Sequence, residues 1–180
     1  MYKPGWPALK LDWNDYLLRH IEWGWHTFGT PADGRGPLGP LDHALKEVEE
    51  IAADPTDIVE WIDAIILTID GYFRADGEAE VLKLERVAYL ASVEYQSWPR
   101  ALSDLKDTLT KLLSDPTSHE LWRHAIFLSI VGYVQLNEGS TNELLMQLFA
   151  KQRKNFNRTW PDWRQQDPNK AVEHVRGTHD

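Results

Sequence analysis

The chain has no cysteine, which excludes disulfides and thiolate metal sites. It has no apolar run of about 18 residues, the length a membrane-spanning helix needs. The opening stretch MYKPGWPALKLDW has no apolar core of the kind a secretory signal carries, so a cytoplasmic location is expected. Basic residues are outnumbered by acids, 19 to 28, for a net charge of −9. That balance argues against general nucleic-acid binding, which needs a basic face. Apart from His43, the histidines have no paired ligand spacing. No segment has the alternation and length to build a sheet, so the fold is expected to be all-α. At 180 residues with 42% apolar content, the chain is expected to form one domain with an insertion.

What is present centres on residues 41–77, which read as two helices broken at Asp54-Pro55. Glu47 and Glu50 are three apart on the first; Glu60 and Asp63 are three apart on the second. Residues three apart share a helix face. If the helices pair as an antiparallel hairpin, four carboxylates meet across one seam. Such a cluster repels itself unless a cation fills it. Hard oxygen ligands suit Mg²⁺ or Mn²⁺, and Mg²⁺ commonly works beside substrate phosphates. Ile58, Trp61, Ile62, Ile65, Ile66 and Ile69 leave little of the second helix polar, so its acids are costly to desolvate without a partner. Asp63 and Asp70, seven apart, lie on one line with Glu60.

Plainer readings compete. Capping accounts for Asp54 at the cap, Pro55 at the first helical position and Asp57 near the third, but not for Glu60 or Asp63, expected beyond the first turn. For Glu47, Glu49 and Glu50 taken alone, a solvated acidic face is the plain alternative. His43, four residues before Glu47, either approaches a metal or is an ordinary helix-starting histidine.

Helices are expected over about 11–28, 78–96, 100–114, from the Asp115-Pro116 break to 137, and 141–158. Residues 29–40, GTPADGRGPLGP, read as a loop, either a mobile cover or a plain connector. The last helix carries Lys151, Asn155 and Arg158 on one face with Lys154 beside them. Two cations flanking an amide suit phosphate oxygens and a sugar hydroxyl; a basic C-terminus complementing the macrodipole is the alternative.

There is an internal echo. Shifted by 61, DPTDIVEWIDAIILTIDGY (54–72) lies on DPTSHELWRHAIFLSIVGY (115–133) with ten of nineteen positions identical, among them Pro55/Pro116, Trp61/Trp122, Gly71/Gly132 and Tyr72/Tyr133. The acids do not repeat: Glu47, Glu50, Glu60 and Asp63 face Thr108, Lys111, Leu121 and His124. A duplicated hairpin is inferred, one half doing chemistry and the other completing the bundle.

Together these features resemble the MazG-like all-α nucleoside triphosphate pyrophosphohydrolases, whose motif is ExxE followed by ExxD on the next helix. The nearest branch is the phage-type dATP/dGTP pyrophosphohydrolases, including MazZ-like dGTP enzymes. The resemblance is carried by Trp25, Phe28-Gly29, Gly36-Pro37-Leu38, His43, Lys46-Glu47, Glu50, Glu60-Trp61, Asp63, Leu67, Asp70, Arg74, Gly77, Lys151, Asn155, Arg158, Trp160-Pro161 and Glu173-His174-Val175. It implies a MazG-like bundle with a core at about 11–77 and 139–160, a helical insertion at about 78–138 holding the degenerate copy, and a polar tail over 161–180. It also implies conversion of a purine (d)NTP, dGTP or dATP, to the (d)NMP and pyrophosphate by water attack at the α-phosphorus. Two or more Mg²⁺ ions, replaceable by Mn²⁺, are expected on Glu47, Glu50, Glu60 and Asp63, with Glu47 or Glu50 as catalytic base. Substrate contacts are expected from Trp25, stacking on the base, and from His43, Asp70, Arg74, Lys151, Asn155 and Arg158. The resemblance further implies a homo-oligomer, dimer or tetramer, acting in nucleotide metabolism in the host cytoplasm of a phage. Two rivals stand against it: a non-catalytic helical adaptor with an acidic partner-binding face, and a di-iron carboxylate bundle. The second wants Glu-x-x-His on two helices, where this chain offers Glu-x-x-Glu and Glu-x-x-Asp.

Overall fold

Side-chain caps set where the helices begin. The computed structural model describes residues 11–93, 97–137 and 140–175. Helix α1 spans Trp13–Phe28, and the Asp12 carboxylate accepts from Asp15 N at 2.8 Å. Helix α2 spans Leu38–Ala53 and begins three residues before the expected start, because Pro40 falls in its first turn, where no amide donor is needed. Helix α3 spans Ile58–Arg74. Its cap is Asp57, not Asp54: Asp57 Oδ1 accepts from Val59 N at 2.9 Å, while Asp54 takes the Thr56 hydroxyl at 2.7 Å in the turn before. The shift puts Glu60 in the first turn of α3, against expectation, and leaves only Asp63 beyond it.

The helix expected over 78–96 is broken. Helix α4 covers Ala79–Leu82 and α5 covers Leu84–Ser92, with Lys83 between them at φ 47°. A left-handed lysine is an unfavourable way to turn, and no glycine in the sequence announces it. Helix α6 spans Trp98–Leu112, α7 His119–Leu136 and α8 Thr141–Asn157, with Ser118 and Ser140 capping the last two. No strand occurs among the described residues, and the fold is all-α. No helix among them is long and apolar enough to cross a membrane. Residues 1–10, 94–96 (the end of the helix expected over 78–96), 138–139 and 176–180 lie outside the described residues.

The internal echo extends to contacts. Helices α2 and α3 form one hairpin, α6 and α7 another, and the two face each other, α3 against α7 and α2 against α6. Trp61 Nε1 donates to Pro55 O at 3.2 Å, and Trp122 Nε1 to Pro116 O at 2.8 Å. Thr68 returns its hydroxyl to Ala64 O at 2.8 Å, and Ser129 to Ala125 O at 2.9 Å. Across the seam, Gly71 meets the Trp122 indole and Gly132 meets the Trp61 indole. A residue of each half thus packs on the copy of its partner, the reciprocity of an isologous interface, here within one chain.

Helices α1 and α8 lie over the other side of α3. Beyond α8 a 3-10 turn at Trp163–Gln165 returns the chain, and residues 167–175 run back over α2 as a strap. Lys170 Nζ and Ala171 N donate to Asp42 at 2.8 and 3.1 Å, Lys46 Nζ pairs with Glu173 at 3.1 Å, Val172 is buried, and Val175 N bonds Thr159 O at 2.9 Å.

Candidate active site

The seam of the α2–α3 hairpin opens into a cavity of about 350 Å³. Glu47 enters it from α2, Glu60 and Asp63 from α3, and carboxylate oxygens of all three lie within 4.8 Å of one another. Glu50 lines the same cavity from a more exposed turn and stands outside this tight group. Glu49 points elsewhere, pairing with Lys106 of α6 at 2.5 Å.

The acids are unequal. His43 Nε2 lies 3.0 Å from Glu47 Oε1. Burial pushes the Glu47 carboxyl up, but hydrogen bonding to His43 and Glu60 holds it below its ordinary range. Its Oε2 is buried with no hydrogen-bond partner. Glu60 is pushed up to about 7, by desolvation first and then by its bond to Glu47 and the charges of Glu47, Asp63 and Glu50. Glu60 therefore holds its proton to higher pH than Glu47 does. Asp63 is raised by burial despite Lys151, whose Nζ lies 2.5 Å from Asp63 Oδ2.

The same cavity also has a cationic side. Lys151, Lys154, Asn155 and Arg158 line it from α8, and Lys46 from α2. Arg158 donates to Asn155 Oδ1 at 2.9 Å, fixing the amide. Glu173 and His174 of the strap complete the wall, with His174 edge-on to Trp160. Spacing along α2 could have flagged Lys46, which shares a face with His43 and Glu50. Glu173 and His174 stand in a stretch that carries the resemblance, but it is the strap's return that brings them to this cavity.

Two other cavities adjoin. A narrow slot of about 60 Å³ shares His43 and Leu67 with the first and is lined by Phe28, Asp70, Arg74 and Val172. Arg74 is buried: its Nε meets Asp70 at 2.8 Å, and its Nη1 holds Gly29 O and Arg35 O at 2.9 and 2.8 Å. Arg35 in turn bonds Phe28 O and Gln166 O, both at 3.2 Å. Residues 29–35 are thereby pinned, which favours the connector reading over the mobile cover. Arg74 is first of all the clamp on this loop, although its Nη2 remains unpartnered. Trp25 does not join the carboxylates. It lines a third cavity of about 650 Å³ with Trp23, Trp160 and Trp163, linked to the first only through Arg158.

An acid cluster beside lysines and an arginine, in an all-helical bundle, offers carboxylate oxygens that could hold a cation and ammonium and guanidinium groups that suit an anionic ligand. A family model described as dATP/dGTP pyrophosphohydrolase matches residues 16–104, just under half of the chain, consistent with a MazG-like dATP/dGTP pyrophosphohydrolase. The chain is accordingly an enzyme, a nucleoside triphosphate diphosphatase acting on a nucleotide. The matched stretch holds α1, the acid hairpin and the slot's Asp70 and Arg74, and ends within α6. No curated protein and no solved structure matches the chain.

Proposed function

We propose that the enzyme converts a purine deoxynucleoside triphosphate, dGTP or dATP, to the monophosphate and pyrophosphate by attack of water at the α-phosphorus, with Mg²⁺ or Mn²⁺ ions held by Glu47, Glu60 and Asp63 and by Glu50 at the rim. The observation that carries this reading is the meeting, in one cavity, of the three clustered carboxylates and the α8 cations. The acid cluster suits a hard divalent cation: the donors are all carboxylate oxygens, and Glu47 Oε2 is buried without a hydrogen-bond partner. Such ions supply a more acidic water and charge neutralisation at the phosphates.

The chain's own residues do the rest. Lys154 and Arg158 bind phosphate oxygens, joined by Lys151. Arg158 holds the Asn155 amide so that its NH₂ is presented to phosphate or sugar. His43 orients Glu47 through the 3.0 Å contact. Glu60 gives up its proton before the acids act together, and Glu47 or Glu50 then accepts a proton from the attacking water. The slot beside His43 and Leu67, with Asp70 and the free Nη2 of Arg74, offers an acceptor and a donor to a base edge. All of these groups come from one chain. The reading places the enzyme in the cytoplasm, where its substrate is. A purely acidic docking face fits less well, because Glu47 is only 6% exposed and unavailable to a partner's surface.

Hydrolysis in ¹⁸O-water tests the point of attack. The label is expected in the nucleoside monophosphate. Label in pyrophosphate alone would place attack at the β-phosphorus and overturn the reading.

A further inference from the structure

Among the described residues, Lys151 is the lysine that reaches the acid cluster, pairing with Asp63, while His43 lies against Glu47. Its Nζ is 2.5 Å from Asp63 Oδ2, with side-chain exposures of 11% and 21%, while Glu47 takes His43 Nε2 at 3.0 Å. A half-buried carboxylate left without a partner is costly, so the ammonium stabilises the acid cluster on its own. An ion on Glu47, Glu60 and Asp63 would lie beside that ammonium, and two like charges at such range repel strongly in a low dielectric. The ammonium is a point charge on a flexible four-carbon stem. On α8 it stands one helical turn from Asn155, next to Lys154, so a small rotation carries it to the phosphate wall.

We infer that Lys151 is an exchangeable counter-ion that couples metal binding to nucleotide binding: it occupies the acid cluster in the free enzyme and transfers to the polyphosphate as the divalent ion enters. This rests on the metal and phosphate assignments above and adds their interdependence. Metal alone must displace Lys151 with nothing to receive it. Nucleotide alone must draw Lys151 from Asp63 and leave the acids bare. Together each removes the obstacle to the other, so each raises the other's affinity by the same factor.

The test is Mn²⁺ binding followed by electron paramagnetic resonance, with and without a non-hydrolysable α,β-methylene dGTP. The wild type is expected to bind Mn²⁺ weakly alone and about tenfold or more tightly with the analogue, within the usual span of site coupling. Lys151→Met is expected to bind Mn²⁺ alone about tenfold more tightly than the wild type, and the analogue is expected to tighten it less than it does in the wild type. Lys151→Arg, which keeps a cation, is expected to lack that gain. Lys151→Gln, read with its helical circular dichroism, substitutes for the Met variant should that one not fold. Unchanged or weaker Mn²⁺ binding in the neutral variants would overturn the exchange; loss of Mn²⁺ binding in Asp63→Asn in the same series would leave the metal assignment standing. No Mn²⁺ bound by the wild type, even with the analogue, would overturn both.

Discussion

The α-carbon of Gly132 rests on the indole of Trp61: a Cβ there would lie 1.9 Å from Trp61 Cζ3. The copy of this contact, Gly71 on Trp122, leaves 2.3 Å. Both tryptophans are fully buried and fixed through Nε1 to a proline carbonyl. Neither ring has room to give way, so the two hairpins meet only because both glycines lack a side chain.

Gly132→Ala is therefore expected to destabilise the fold by about 1–3 kcal/mol, the usual cost of overpacking, and Gly71→Ala similarly. Urea denaturation measures it. A wild-type midpoint in both would contradict the packing.

The acid cluster predicts a graded mutational pattern. Glu47→Gln, Glu60→Gln and Asp63→Asn are each expected to lower kcat/KM by about 10²-fold or more, on the scale of losing one preorganised electrostatic group. Glu50→Gln is expected to lower it as well. Glu49→Gln, which removes only the bridge to Lys106, is expected to leave it unchanged. Equal effects at Glu49 and Glu60 would contradict the site.

Glu60 makes metal-free stability depend on pH. Its carboxyl is raised from 4.5 to about 7 in the folded chain, so the native state binds more protons than the unfolded state between those values. Stability from this group is complete below about 4.5 and is lost as pH rises through about 7. His20, buried and lowered from 6.5 by desolvation, acts in the opposite sense below 6.5, so Glu60 is isolated by comparison with Glu60→Gln. Without metal, the variant is expected to gain on the wild type as pH rises from 5 to 8. Thermal melts at a series of pH values check this, and parallel curves would contradict the raised Glu60 carboxyl.

The strap brings Pro168, Lys170, Ala171 and Val172 to the narrow slot, and Glu173 and His174 to the acid cavity. Truncation after Gln166 is expected to raise KM for the nucleotide about tenfold, the loss of roughly 1.4 kcal/mol of binding. Steady-state kinetics measure it, and an unchanged KM would remove the strap from the substrate site.

The sequence makes the acid hairpin legible because Glu47, Glu60 and Asp63 act through helical spacing, which is local. The duplication is legible because Trp61, Gly71 and their copies keep one offset. The strap is not, since Lys170–Asp42 and Glu173–Lys46 join residues more than 120 apart with no periodicity. The α3 cap is misread because Asp54 and Asp57 both offer an acceptor, and geometry alone decides that Asp54 serves the turn. Helical spacing alone does not show that Trp25 lines a cavity with Trp160 and Trp163 and not the one with the carboxylates.

The most direct measurement is product analysis. Purified protein is incubated with Mg²⁺ or Mn²⁺ and each of the eight common nucleoside and deoxynucleoside triphosphates. The account predicts monophosphate and pyrophosphate, formed fastest from dGTP or dATP and abolished by Asp63→Asn. Diphosphate with inorganic phosphate, or no turnover of any nucleotide by folded protein, would contradict it.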